Sequence, residues 1–117
     1  MRLIGTLLFL MLASPALAQT KEGVSEWFRS LRTPLPVGGL QAGVSCCSEA
    51  DCKQREVRQV GFIEEAWIEE INDWAIIPLE ARITDSEILE KRPLFQAVVC
   101  FIPMRGVVCF VPGRSGG

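Results

Sequence analysis

The residues in this chain that could do chemistry are five cysteines and a run of acids. Cys46 and Cys47 are adjacent; four residues separate Cys47 from Cys52, 47 separate Cys52 from Cys100, and eight separate Cys100 from Cys109. Thiols so placed can cross-link, exchange electrons or hold a soft metal, and the compartment decides among these uses. Redox catalysis ordinarily rests on Cys-x-x-Cys at a helix start, where the thiolate is stabilised. The nearest spacing here is Cys47-x4-Cys52, with the acids Glu49 and Asp51 beside it to disfavour a thiolate. A zinc or copper(I) site on Cys46, Cys47 and Cys52 would find no histidine anywhere in the chain to complete it. Haem attachment needs Cys-x-x-Cys-His, which is absent.

The lack of histidine also removes the commonest general base and the Ser–His and Cys–His nucleophile pairs. No P-loop, G-x-G-x-x-G or G-x-S-x-G stretch occurs. Glu64, Glu65, Glu69, Glu70 and Asp73 crowd into ten residues. Their plainest reading is a solvated hairpin face, and their functional reading is an interaction surface for a basic partner or a cation. A two-carboxylate glycosidase would need a cleft that so small a domain has little room to build. The expectation is therefore no catalytic residue, no cofactor and no resident metal.

The compartment is read from the other end of the chain. Arg2, the apolar run Leu3–Leu12 and the small-x-small site Ala16-Leu17-Ala18 form a secretory signal peptide, residues 1–18. The apolar run is short of the roughly 20 residues a membrane span needs, so no membrane association is expected after cleavage. The expected location is periplasmic or secreted, where the default fate of cysteine is the disulfide. Cleavage leaves 99 residues, with 11 basic against 14 acidic side chains and a net charge of −3. That mild acidity without a basic patch excludes nucleic acid as an expected partner.

The mature chain reads as one domain over residues 19–113, with a frayed tail at 114–117. Val24, Trp27, Phe28 and Leu31 fall at i, i+3, i+4, i+7, which predicts an amphipathic helix over 20–32 that faces a core. Pro34 ends it, and the Pro- and Gly-rich stretch 33–44 reads as a loop with little to pack. Val57–Phe62 alternates weakly, as a strand. Trp67–Ile71 and Trp74–Ile77 flank Asn72-Asp73 and predict a two-residue hairpin that sets Ile71 opposite Trp74 and Trp67 opposite Pro78. Thr84 with Glu87 has capping-box spacing before a short helix. Ala97–Pro103 and Val107–Val111 are the most apolar runs and read as a second, core hairpin.

That hairpin constrains the cysteines. A three-residue turn with Gly106 left-handed would pair Phe101 with Cys109 and send Cys100 and Cys109 to opposite faces. The two would then not bond to each other, and each would take a partner from Cys46, Cys47 and Cys52. Adjacent Cys46 and Cys47 would go separate ways. Two such bridges would each close a loop of roughly 50–60 residues, worth about 4 kcal/mol each in the chain-entropy picture. Five cysteines leave one over, free or joined to a second molecule as a covalent dimer.

Trp27-Phe28 with Ser30-Leu31, Ser45-Cys46-Cys47 with Asp51-Cys52, Trp74-Ala75-Ile76-Ile77-Pro78, Cys100, and Cys109-Phe110-Val111-Pro112 together carry a resemblance. The mature chain resembles a group of small exported cysteine-containing proteins of rhizobial and related alphaproteobacteria. The resemblance implies a bacterial periplasmic or secreted setting and brings no activity and no residue roles. The expected architecture is α+β: an N-terminal helix on a small, mainly antiparallel sheet of four or five strands, stabilised by disulfides. The expected function is that of a non-enzymatic binding or interaction module, with a protein as its partner. The alternative is a periplasmic thiol-redox or metal-handling protein built on Cys46, Cys47 and Cys52.

Overall fold

A computed structural model describes residues 21–46, 51–93 and 95–114. Residues 1–20, with the segment read as a signal peptide, and residues 47–50, which include Cys47, lie outside the described residues, as do 94 and 115–117. The architecture is mixed α+β with two disulfides, but its strands form two three-stranded antiparallel sheets rather than one sheet of four or five. The elements run α1 (Lys21–Arg29), β1 (Cys52–Gln54), β2 (Val57–Val60), β3 (Ile63–Ile68), β4 (Asp73–Ile77), α2 (Ser86–Glu90), β5 (Val98–Ile102) and β6 (Gly106–Val111). One sheet has the order β1-β5-β6 and the other β2-β3-β4.

The apolar runs of β5 and β6 become the buried centre, as their composition dictates. Val98 to Phe101 and Val107 to Val111 are all buried. Trp27, Phe28 and Leu31 of α1 join the same core cluster, and Val24 packs against it, so the i, i+3, i+4, i+7 stripe faces inward. The stretch 33–44 does more than connect. Thr33 is buried, its Oγ1 donates to Gln41 O at 2.7 Å and accepts from Val44 N at 3.0 Å, and Val37 enters the core. Gly38 sits where a Cβ would meet Arg105 O at 2.8 Å, so the loop can lie against the β5–β6 turn only with glycine there.

Three turns differ from their sequence readings. The run Val57–Phe62 is not one strand, because β2 stops at Val60 and Gly61-Phe62 turn the chain into β3. In the β3–β4 hairpin the connection is four residues: a 3-10 turn over Glu69–Ile71, then Asn72 at φ 52°. A two-residue turn of type I′ would have needed positive φ at Asp73 as well, and only Asn72 takes it. The register therefore pairs Trp67 with Trp74 and Ile68 with Asp73. In α2 the N-cap is Asp85, not Thr84; Asp85 Oδ1 accepts from Glu87 N at 2.9 Å. Arg114, read with the tail, donates its backbone N–H to Phe95 O at 2.9 Å and so belongs to the fold.

The β5–β6 turn is the most consequential difference. Ile102 pairs with Gly106, so the loop is Pro103-Met104-Arg105, closed by Arg105 N donating to Ile102 O at 3.0 Å. Proline at its second position and positive φ at its third make it a type II turn. That third residue is Met104, at φ 74° with its side chain fully exposed. A left-handed non-glycine residue costs about 1–2 kcal/mol, and glycine gives back roughly 0.4–1 kcal/mol of that through the unfolded chain. Met104→Gly is therefore expected to stabilise the fold by about 0.5–1 kcal/mol in denaturant titration; an unchanged or lowered midpoint would show that the turn holds no such strain.

Candidate functional site

Past the turn, β6 carries one extra residue. Phe101 pairs with Val107, but Cys100 pairs with Cys109, so Val108 is a β-bulge. The bulge overturns the face argument made from sequence: Cys100 and Cys109 are directly opposed and share a face. They nevertheless do not bond to each other. Cys52 is the direct partner of Cys100 across β1–β5, and those two form one bridge, with Cα atoms 3.9 Å apart. Cys109 bonds Cys46, which arrives at the end of the loop held by its N–H to Leu31 O at 3.1 Å. Cys52, Cys100 and Cys109 thus make a row across the three strands, and Cys46 closes over its far end.

The bridges span sequence separations of 63 and 48 residues. All four cysteines are buried. Cys46, Cys100 and Cys109 place their sulfurs within 4.8 Å of one another. In this oxidised form each of these sulfurs is bonded to another, so none is the thiolate a soft metal requires. With the other four paired, Cys47 is the cysteine that has no bonding partner left within the chain.

The acids of the β3–β4 hairpin are mostly engaged. Glu64 pairs with Arg82 at 2.8 Å and Glu65 with Arg58 at 2.7 Å. Asp73 accepts from Trp74 N at 2.7 Å, while Glu69 is exposed. Glu70 takes a two-pronged contact from Arg55, at 2.8 and 3.1 Å, with Lys53 at 3.4 Å. Arg55 is a buried cation that the charge pattern did not single out. It also donates to Val99 O and Asp51 O, so one guanidinium ties the β3–β4 turn to the β1–β5 strand pair.

The outward face of β2-β3-β4 holds the other concentration of chemistry. The alternation of side chains puts Arg58, Val60, Ile63, Glu65, Trp67, Trp74 and Ile76 on one face. The Trp67 and Trp74 rings meet edge to face at 5.5 Å, and the Arg58 guanidinium stacks over Trp74 at 4.0 Å. Ile76 is 57 % exposed, and Phe62 in the adjoining turn is fully exposed. Sequence periodicity identified this hairpin but, with the wrong register, did not place the tryptophans side by side.

A groove of about 400 Å³ runs between α1 and α2, beside Glu26, Trp27 and Lys91. Two of its polar groups are used internally: Trp27 Nε1 donates to Ile88 O at 3.1 Å, and Lys91 pairs with Glu87 at 3.2 Å. Among the described residues no helix is long and apolar enough to cross a membrane. Comparison with protein-family models, curated proteins and solved structures finds no match.

Arg55 holds the Glu70 carboxyl far below its ordinary value, from 4.5 to about 2. A carboxylate depressed in the folded state stabilises fully above its unfolded value, and that contribution is lost as pH falls through the folded value. The Glu70 contribution should therefore fade between about pH 4.5 and pH 2. Glu70→Gln is expected to cost about 1–2 kcal/mol at neutral pH, less than a fully buried pair because the carboxylate is 35 % exposed. It should also flatten the acid limb of a stability–pH profile; parallel profiles for the two proteins would refute the linkage.

Proposed function

We propose that the chain is an exported, disulfide-locked binding module without catalytic activity, and that it binds a protein through the outer face of β2-β3-β4. The observation that carries this reading is the face itself: two tryptophans, a stacked arginine and three exposed aliphatic residues with no layer over them among the described residues. Tryptophan and arginine are the side chains that most often dominate binding energy at interfaces. Export, to the periplasm or beyond the cell, is supported by the signal-like segment 1–18 and by two buried bridges suited to an oxidising compartment. Burial of all four bonded cysteines favours structural bridges over a thiol-redox or metal-handling role.

Two measurements bear on this. Alkylation of the native exported protein without reductant should label one thiol, Cys47. Three or more free thiols before any reductant is added would favour the redox reading. Ile76→Lys should leave thermal stability within about 0.5 kcal/mol, since the site is exposed, yet abolish recovery of the partner seen with the unsubstituted protein after cross-linking in the exporting cell. Equal recovery by both would remove the face from the function.

A further inference from the structure

We propose that the two disulfides are an exchangeable set, and that a two-electron reduction converts them into a single Cys100–Cys109 bridge that sets the Cys46–Cys52 segment free. The geometry behind this is the cysteine row. Cys100 lies directly opposite Cys52 on one side and directly opposite Cys109 on the other. Directly opposed residues on antiparallel strands have Cα atoms about 4.5–5.5 Å apart, within the range that a disulfide spans. The Cys100 and Cys109 sulfurs are already within 4.8 Å of each other, each bonded elsewhere.

The reductant is an external dithiol, which reaches the buried bridges when the Cys46–Cys52 segment opens locally. If it opens Cys46–Cys109, its first thiolate bonds the Cys46 sulfur, and Cys109 leaves as a thiolate. Its second thiol then displaces Cys46 as a thiol, and the dithiol departs as its own disulfide, having supplied both electrons. The Cys109 thiolate attacks the neighbouring Cys100 sulfur, the Cys52–Cys100 bond breaks, and Cys52 leaves as a thiolate that takes up a proton. If the dithiol opens Cys52–Cys100 first, the Cys100 thiolate attacks the Cys109 sulfur and Cys46 leaves instead. Both routes end on the same product, with Cys46 and Cys52 as thiols beside Cys47.

Chain entropy sets the direction. Once one tether is cut, the segment is held by the other bridge, by β1, a three-residue edge strand, and by a few hydrogen bonds at its ends, Cys46 N–H to Leu31 O and Phe101 N–H and Arg55 to Asp51 O. Moving the remaining bond into the β5–β6 hairpin releases that segment, while Cys100 and Cys109 stay aligned by the most buried strand pair in the molecule. The protein would thus respond to a dithiol by presenting three cysteines on one short stretch without unfolding its core hairpin.

The test is graded reduction of the full exported protein with dithiothreitol, acid quench, alkylation and peptide mapping of the species that retains one bridge. The expected species carries label on Cys46, Cys47 and Cys52 and an unlabelled, bridged Cys100–Cys109. A one-bridge species holding Cys52–Cys100, Cys46–Cys109 or Cys46–Cys100 would overturn the proposal, as would loss of both bridges together with no one-bridge species. Cys47→Ser should give the same Cys100–Cys109 product, because the odd thiol takes no part; a different product would also overturn it. As a further check, Cys46→Ser, oxidised in air, should hold Cys100–Cys109 with Cys52 free, and retention of Cys52–Cys100 would count against the proposal.

Discussion

The described residues N-terminal to β2 are cross-linked to the rest of the molecule by two disulfides on the β1-β5-β6 sheet. Cys52 holds the edge strand to β5, and Cys46 holds the end of the loop to β6. A domain of this size has a modest apolar core, and here that core is centred on a single buried hairpin. Helix α1 and the loop after it contribute Trp27, Phe28, Leu31 and Val37 to that core. Their own backbone pairing is slight, with isolated bridges such as Arg32–Ser45 and Val37–Leu40. The bridges make up for that by removing the freedom such a segment would regain on detaching.

The second sheet is attached by a different kind of force. Arg55 sits between β1 and β2 and reaches Val99 O, Asp51 O and both carboxylate oxygens of Glu70. A buried guanidinium must have its donors satisfied, so the position of Glu70 at the β3–β4 turn is specified as well as stabilised. With that hairpin held from its inner side, its outer side keeps a row of aromatic and aliphatic groups that the core does not use. Glu64, Glu65 and Glu70 of this hairpin are engaged in ion pairs within the chain, which shifts the chemistry of that element from its charge towards its tryptophans.

Much of the architecture was legible in the chain. The stripe Val24, Trp27, Phe28, Leu31 marked α1 and its buried face, and the two most apolar runs marked the core hairpin. The prediction that Cys100 and Cys109 each bond into the Cys46–Cys52 region agrees with the two bridges observed, although the argument for it was wrong: the cysteines share a face. The bulge at Val108 is what no local pattern announced, because Val107, Val108 and Cys109 are all apolar and all buried. Alternation gives no register when both faces of a strand are inside. The β3–β4 register failed for a related reason: Asn72 carries the positive φ expected of it, but the turn begins three residues earlier.

What the sequence determined by itself was composition-limited: mixed α and β elements, cysteines in two distant groups, and no histidine for the commonest acid–base chemistry. These follow from residue type and short-range periodicity, which tertiary contacts modify little. Which thiol meets which, where Arg55 finds its carboxylate, and that Trp67 lies against Trp74 were decided only by the tertiary structure. Each depends on register, and a one-residue bulge or a longer turn changes register at almost no local cost while moving every side chain beyond it.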